Sequence, residues 1–329
     1  MTTRIKIGIL SAAHMHAYSY ATCLKEMPDT ELVGFWDDDP KRGQAAAQQF
    51  ETPFFPELDA ILGNDIDAVI VCAENVKHRA LVEAAAKAGK WILCEKPLAT
   101  TIDDARAMID VCADAGVGLG TAFPCRFVPT LQDVERRVRQ GKLGEILAAS
   151  CTNNGQFPGG WFADPAQSGG GAVMDHTVHV VDLLRWITQK EFTRVYCTHA
   201  NRFHPDIDTD DIGSLHLEME GAIIVSHVAS WNRPRSFPTW GDVTIELIGT
   251  EGTLNVDAFH QKIDVFSDNS DRAQWVGWGD NADLELIRDF VDAVRDKREP
   301  EATGLDGLRA VEVTVAAYRS AELGMMVDV

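Results

Sequence analysis

The feature that most constrains this chain is the alternation, up to about Pro124, of short apolar runs with amphipathic stretches. Ile5 to Leu10, Leu32 to Trp36, Ala68 to Cys72, Trp91 to Cys94 and Val117 to Thr121 are near-continuous apolar runs. That is how strands read when a parallel sheet buries both their faces. Between them, His14 to Lys25 and the alanine-rich Val76 to Ala88 have helical patterns. Another helix starts at Thr101, with Asp104 three residues on as a variant of the capping box, and stops at Gly116. Strands that alternate with helices predict crossover units and a doubly wound parallel sheet.

Beyond Pro124 the pattern changes. A charged helix (Leu131 to Gln140) leads into a strand from Ile146 to Thr152, then into a glycine- and tryptophan-rich loop from Asn153 to Gly171. A helix follows over Ala172 to Ile187. From Val195 to Val265 the sequence is β-rich, with period-two alternation in Ser214 to Glu220 and Ile223 to Ser230. This predicts a large open, mainly antiparallel sheet with one apolar face and one face available for association. Two helices close the chain, Leu284 to Arg298 and Leu305 to Ala321, the second with Thr303 and Asp306 at capping-box spacing. At 329 residues the chain exceeds the size at which one core stops growing. The expected division is an α/β domain over 1–124 and an α+β domain over 125–329.

The net charge of −20 makes nucleic acid or an anionic membrane surface a poor partner. The seven cysteines are odd in number, widely spread and without a CxxC pair, which reads as reduced thiols in a cytosol. No leader pattern stands at the N-terminus, and no run approaches the roughly 18 apolar residues of a membrane span. The expectation is a cytoplasmic protein.

In a doubly wound sheet, ligands bind beyond the carboxyl ends of the strands. After the first strand comes Ser11-Ala12-Ala13-His14-Met15-His16, where a G-x-G-x-x-G loop would carry glycines. Ser11 and Ala13 are small enough for a pyrophosphate to approach, and a helix N-terminus follows to favour an anion. The second strand ends in Asp37-Asp38-Asp39-Pro40, where a carboxylate can grip an adenosine ribose. Asp39 also suits a cap for a helix beginning at Pro40. Asp37 directly follows the strand, and no basic residue adjoins it, so NAD is expected in preference to NADP. His14 and His16 lack a third and fourth metal ligand at recognisable spacing. They read as loop histidines contacting cofactor or solvent, with no metal.

With Glu95-Lys96-Pro97 placed after the fourth strand, the chain resembles the Gfo/Idh/MocA family, named for glucose–fructose oxidoreductase and inositol dehydrogenase. The likeness rests on Asn75 and His78 after the third strand and on Arg126-Phe127 past the domain crossover. It continues in Ser168-Gly169-Gly170-Gly171-Ala172, then Asp175, His179 and Asp182, then Asp210-Asp211 and the segment from Gly304 to Ser320. The resemblance implies a Rossmann domain followed by an α+β domain whose sheet often mediates dimers or tetramers. It implies a catalytic Lys96, Asp175 and His179, and an NAD site that includes Ala73, Glu74, Asn75, His78 and Glu95. The chain departs from the family in its glycine-poor loop and in Ala73-Glu74, where many relatives carry Thr-Pro.

Oxidising a secondary alcohol needs a base for the hydroxyl proton and a cation for the developing alkoxide, while the nicotinamide carries the hydride. Asp175 and His179 are four residues apart on a predicted helix, hence on one face. Histidine suits proton transfer near neutral pH, and Lys96 at a strand end supplies the cation. Arg126, Asn153, Trp161, Phe162 and His176 are expected to contact substrate, with Trp231, Asn232 and Arg235 as further candidates. The leading reading is NAD-dependent oxidation of a sugar, cyclitol or related polyol. Two others stay open: glycoside cleavage or elimination with a transiently used NAD, and a non-catalytic sensor of the same fold.

Overall fold

The computed structural model describes residues 4–237, 239–266, 268, 274–277 and 281–329. The chain opens with β1 (Ile5–Leu10), α1 (His16–Glu26), β2 (Thr30–Trp36), α2 (Pro40–Gln49), β3 (Phe54–Phe55), α3 (Leu58–Leu62) and β4 (Ala68–Val71). Then come α4 (His78–Lys87), β5 (Trp91–Glu95), α5 (Ile102–Ala115) and β6 (Leu119–Ala122). After these follow α6 (Pro129–Arg139), β7 (Ile146–Gln156), α7 (Pro165–Ser168) and α8 (Ala172–Thr188). The strands β8 (Phe192–Ala200), β9 (Ile212–Met219), β10 (Ile223–Arg233), β11 (Gly241–Gly249), β12 (Thr253–Asp257), β13 (Lys262–Val265) and β14 (Gln274–Gly277) come next. The chain closes with α9 (Ala282–Asp296), α10 (Gly304–Leu323) and β15 (Val327–Asp328).

Two compact units result. The first takes the chain up to Pro124 together with Ala166–Gly169 and Ala282–Val311. The last two segments were expected in the second domain. The second unit takes Cys125–Pro165, Gly170–Asn281 and Glu312–Val329.

In the first unit six parallel strands lie in the order β3-β2-β1-β4-β5-β6. The order reverses between β1 and β4, so the loops after these strands are where a doubly wound sheet binds its ligand. Every residue of β4 is buried, as a strand covered on both faces must be. The short β3 and α3 carry too few residues for a periodic signal and were not foreseen. Helix α5 starts as expected: the Thr101 hydroxyl accepts from the Asp104 amide at 3.1 Å, and Gly116 ends the helix at φ 66°.

The second unit holds a seven-stranded sheet, order β12-β11-β7-β10-β9-β8-β15, antiparallel throughout except for the parallel pair β7 and β10. Helix α8 packs on one face, where Cys151, Val225, His227, Val243 and Ile245 are buried. The opposite face carries Ser150, Ser226 and His216, with Tyr196, Ile224 and Ile248 exposed among them. Strand β7 runs to Gln156, four residues beyond its expected end, so Asn153 and Asn154 are strand residues and not loop residues. Buried Asp242 holds them in the sheet: its carboxylate accepts from the Asn154 amide at 3.2 Å and side chain at 3.3 Å, and its backbone carbonyl from the Asn153 side chain at 2.7 Å. Tertiary pairing here overrides the low strand propensity of asparagine.

Candidate active site

In the first unit, the turn after β1 is built without glycine. Ser11 takes φ 72°, the left-handed conformation that a glycine normally supplies in a phosphate-binding turn. Side-chain bonds hold it there. Its hydroxyl donates to Asp37 Oδ2 at 3.2 Å and accepts from the Ala13 amide at 3.2 Å and from Arg42 at 3.3 Å. Asp37 also accepts from the Ala12 amide at 2.7 Å. The turn thus has the left-handed conformation that glycine would give, reached by hydrogen bonds in place of backbone freedom. Helix α1 follows directly, and Met15 beside it is 43% exposed.

The expectation that no basic residue adjoins Asp37 is corrected by Arg42. From the first turn of α2 it donates Nε to Asp37 Oδ2 at 2.9 Å and Nη2 to Oδ1 at 2.7 Å, and it also reaches Asp38 and Glu74. Asp39 caps α2 through the Lys41 and Arg42 amides, which starts the helix so that Arg42 turns back over the strand end. Lys77 adds a second cation, bound to Asp38 at 2.5 Å and to Glu74 at 2.8 Å. Three carboxylates therefore face two cations. Partial burial opposes ionisation of Glu74, but Lys77 and Arg42 hold its carboxyl below the usual range. Asp37 is 1% exposed and has both oxygens engaged, so its visible task is to brace the Ser11 turn.

After β4, Ala73 and Glu74 are buried and Asn75 donates its amide to the Ser168 carbonyl at 2.8 Å. Asn75 Oδ1 is buried with no hydrogen-bond partner among the described residues, an acceptor suited to a ligand hydroxyl or amide. His78 is fully buried. Its ring faces the carbonyls of Ala73, Pro97 and Leu98 at 3.1, 3.1 and 3.2 Å, bracing the turn that carries Lys96. Burial lowers its pKa, against the pull of those carbonyls.

Glu95 gathers side chains that the sequence did not connect. Its Oε1 accepts from Tyr20 at 2.6 Å and pairs with His16 Nδ1 at 3.0 Å, with His14 Nδ1 at 3.9 Å. Although burial opposes ionisation, the charges of His14 and His16 hold the Glu95 carboxyl far below its ordinary range. His14, His16 and Glu95 offer three ligating atoms within 4.8 Å, the third ligand that spacing alone had not supplied. Two of these atoms already pair with each other, His16 Nδ1 with Glu95 Oε1 at 3.0 Å. Lys96, 6% exposed, follows Glu95, whose Oε2 accepts the Lys96 amide at 3.2 Å.

In the second unit the site is organised by α8. Asp210 caps it: the carboxylate accepts from the Gly171 and Val173 amides at 3.1 and 2.8 Å and from the Tyr318 hydroxyl at 2.7 Å. A Cβ on Gly171 would lie 1.9 Å from the Asp210 carbonyl oxygen, which explains the last glycine of the run. Asp175, His179 and Asp182 then fall on one face of the helix. Trp231 donates its indole N–H to Asp175 Oδ2 at 3.1 Å. His176 is 5% exposed and its Nδ1 bonds the Asn153 carbonyl at 2.9 Å. Arg126, expected to touch substrate, is buried in a two-bond pair with Asp182 at 2.9 and 2.5 Å. Trp161 stacks on Phe162 with centroids 3.9 Å apart, and Phe162 packs in a cluster with Ala172 and Trp231. A cavity of about 330 Å³, lined in part by Thr152, Arg233, Asp242 and Trp275, contains none of the expected site residues.

Sequence reasoning missed Tyr20, Arg42 and the bracing task of Trp231. Only the aromatic character of Trp231 and its inclusion among the further candidates hinted at the last.

Two family models match the chain. The oxidoreductase family with an NAD-binding Rossmann fold matches residues 5–123, and the GFO/IDH/MocA C-terminal domain matches residues 131–255. The chain is 26% identical to D-apiose dehydrogenase of Paraburkholderia graminis, over 98% of this chain and 88% of that protein. It is 25% identical to the scyllo-inositol 2-dehydrogenase (NAD(+)) of Bacillus subtilis, over 100% and 97% of the two chains. Among solved structures, GenD2 from gentamicin A biosynthesis in complex with NAD is similar at a TM-score of 0.91 and 25% identity, covering 100% of this chain and 97% of that one. The scyllo-inositol dehydrogenase of Lactobacillus casei shares the fold at a TM-score of 0.84 and 24% identity, with 99% of each chain covered. This chain belongs to the GFO/IDH/MocA family of oxidoreductases, with an NAD-binding Rossmann fold at its N-terminal end.

Proposed function

We propose that the protein oxidises a secondary hydroxyl of a sugar, cyclitol or related polyol, with Lys96, Asp175 and His179 as its catalytic residues. The observation that carries this reading is the placement of Asp175 and His179 one turn apart on α8, in a chain matched end to end by polyol and sugar dehydrogenases. NAD, when bound, accepts the hydride. The protein's own part is to hold the substrate and move the proton. His179 accepts the hydroxyl proton, Lys96 stabilises the alkoxide as the C–H bond breaks, and Asp175 orients the hydroxyl. The fixed turn at Ser11, the N-terminus of α1 and Asn75 support the nucleotide. The surplus of Asp37, Asp38 and Glu74 over Arg42 and Lys77 favours NAD over NADP by repelling a 2′-phosphate.

In this reading residues 1–124 form the nucleotide domain and 125–329 supply the substrate groups. Asn153, Trp161, Phe162 and His176 shape the substrate side, with Phe162 and Trp161 as an apolar wall. Arg126 acts there through Asp182. The open face of the second sheet, with Tyr196, Ile224 and Ile248 exposed, is the surface for a homodimer or homotetramer. All seven cysteines are buried and none is in a disulfide, and no described helix is long and apolar enough to cross a membrane. Both fit a cytoplasmic enzyme.

A panel of sugars and cyclitols, followed by NADH absorbance, tests the activity. At least one should reduce NAD with the native protein and fail with Lys96→Ala. Turnover of a glycoside without net NADH would move the chain to the class that uses NAD transiently. NAD binding with no turnover of any kind would make it a sensor.

A further inference from the structure

Dinucleotide-binding folds recognise the adenosine ribose just past the second strand, with a carboxylate for the free diol or an arginine for a 2′-phosphate. The first unit carries both groups, and they are bonded to each other. Asp37 Oδ2 accepts from the Ser11 hydroxyl, the Ala12 amide and Arg42 Nε. Its Oδ1 accepts from Arg42 Nη2 and from the Asp39 amide at 2.9 Å. The two oxygens of a carboxylate offer about four lone-pair sites, so these bonds leave Asp37 none for a ribose hydroxyl. Discrimination at the 2′ position falls to the groups around it.

Those groups are Arg42, Lys77, Asp38 and Glu74. The Arg42 and Lys77 side chains are 25% and 37% exposed, so both cations are open to a ligand arriving from solvent. Two carboxylates each bridge the pair. Asp38 meets Arg42 at 3.0 Å through Oδ1 and Lys77 at 2.5 Å through Oδ2. From the loop after β4, Glu74 meets Arg42 Nη1 at 3.1 Å through Oε1 and Lys77 Nζ at 2.8 Å through Oε2. Their settings differ. The Asp38 side chain is 40% exposed and water screens its charge, whereas that of Glu74 is 6% exposed and is screened much less. With the Glu74 charge gone, Arg42 and Lys77 would stand beside the Ser11 hydroxyl as partly released donors. Charge-assisted donors of that kind are what a phosphomonoester dianion takes.

We propose that Glu74 makes this nucleotide site reject a 2′-phosphate, by neutralising a latent phosphomonoester pocket formed of Arg42, Lys77 and the Ser11 hydroxyl. The inference deepens the preference for NAD and rests on the reading that the turn after β1 receives the dinucleotide. Charge gives its sign. Asp37, Asp38 and Glu74 outnumber Arg42 and Lys77 by one, and removing the charge of Glu74 brings the cluster to neutrality while Asp37 stays bound to the Ser11 turn. Glu74 needs no contact with the cofactor for this. It is a positioning residue that acts through the two cations.

Calorimetry on the full-length protein with AMP and adenosine 2′,5′-bisphosphate tests the proposal, because the two probes differ only in the 2′-phosphate. Glu74→Gln should raise the affinity for the bisphosphate relative to AMP by about tenfold, the order expected when one nearby unit charge is removed from a partly exposed site. Adding Lys77→Ala should reverse most of that gain, and raising the salt concentration should shrink it. If Glu74→Gln does not fold, Glu74→Thr removes the same charge and carries the same expectation. A ratio within about threefold of the native one, or a gain that Lys77→Ala leaves intact, would overturn the proposal. Binding of AMP with an unmoved ratio would sink the role of Glu74 alone. A native protein that bound neither AMP nor NAD would sink the nucleotide reading and the proposal with it.

Discussion

The turn after β1 and the helix α8 reach ordered functional geometry by opposite routes. The turn departs from the expected glycines and is held in shape by long-range side-chain bonds: Ser11 and Ala12 to Asp37, and Asp37 to Arg42. Helix α8 keeps its family residues in order and is fixed by a cap and by backbone proximity at Gly171. The lesson is that a missing motif can mean a substituted mechanism: hydrogen bonds can hold a left-handed turn that glycine would adopt freely.

The comparison breaks most visibly on the α8 side. His179→Ala should lower kcat by about 10²- to 10⁴-fold with little change in thermal stability, because it removes the proposed proton acceptor from a helix whose core contacts remain. Steady-state kinetics beside a melting curve checks both halves. A stability loss as large as that of a core truncation would make His179 a structural residue.

The turn is tested by a pair of variants. Ser11→Ala keeps the left-handed strain, on the order of 1–2 kcal/mol, and removes the bonds that offset it. It should cost about 2 kcal/mol in chemical denaturation and weaken NAD binding. Ser11→Gly removes both strain and bonds and should lie within about 1 kcal/mol of the native protein. The reverse order of the two variants would refute the substituted mechanism.

Acid distinguishes the units less sharply, since each contains a histidine buried in its neutral form. Burial pushes His227 down to about 3, and His78 is also lowered. An unfolded histidine binds its proton near 6.5. The stability from both groups is therefore complete above that pH and is lost as pH falls from about 6.5 toward the folded values, at up to about 1.4 kcal/mol per unit for each group. Melting temperature at pH 7.5 and pH 5, compared with His227→Phe, should show a smaller drop in the variant. An equal drop would mean that other groups govern the acid limb. The smallest effect concerns cofactor choice. Asp38→Ser removes one of three carboxylates and should raise the NADP-to-NAD ratio of kcat/KM by about tenfold, or about 1.4 kcal/mol.

Much of the fold was legible because its signals are local. The Thr101 cap, the Gly116 stop and the wholly apolar β4 each declare themselves within a few residues. So did Lys96 at a strand end and the one-face spacing of Asp175 and His179. What was illegible joins distant positions. Glu95 meets Tyr20 and His16 across separations of 75 and 79 residues, and Trp231 reaches Asp175 across 56. No periodicity encodes such pairings. Arg42 was missed for a different reason. It lies only five residues from Asp37, but its return depends on where the Asp39 cap starts α2.

In the proposed reaction, hydride leaves a polyol carbon for NAD while Lys96 and His179 manage the hydroxyl and its proton. The most direct measurement follows deuterium from a polyol labelled at its carbinol carbon, with mass spectrometry of the cofactor after a single turnover. Deuterium should appear in the reduced nicotinamide with the native protein and be absent with His179→Ala. Consumption of the polyol with an unlabelled cofactor would contradict the account.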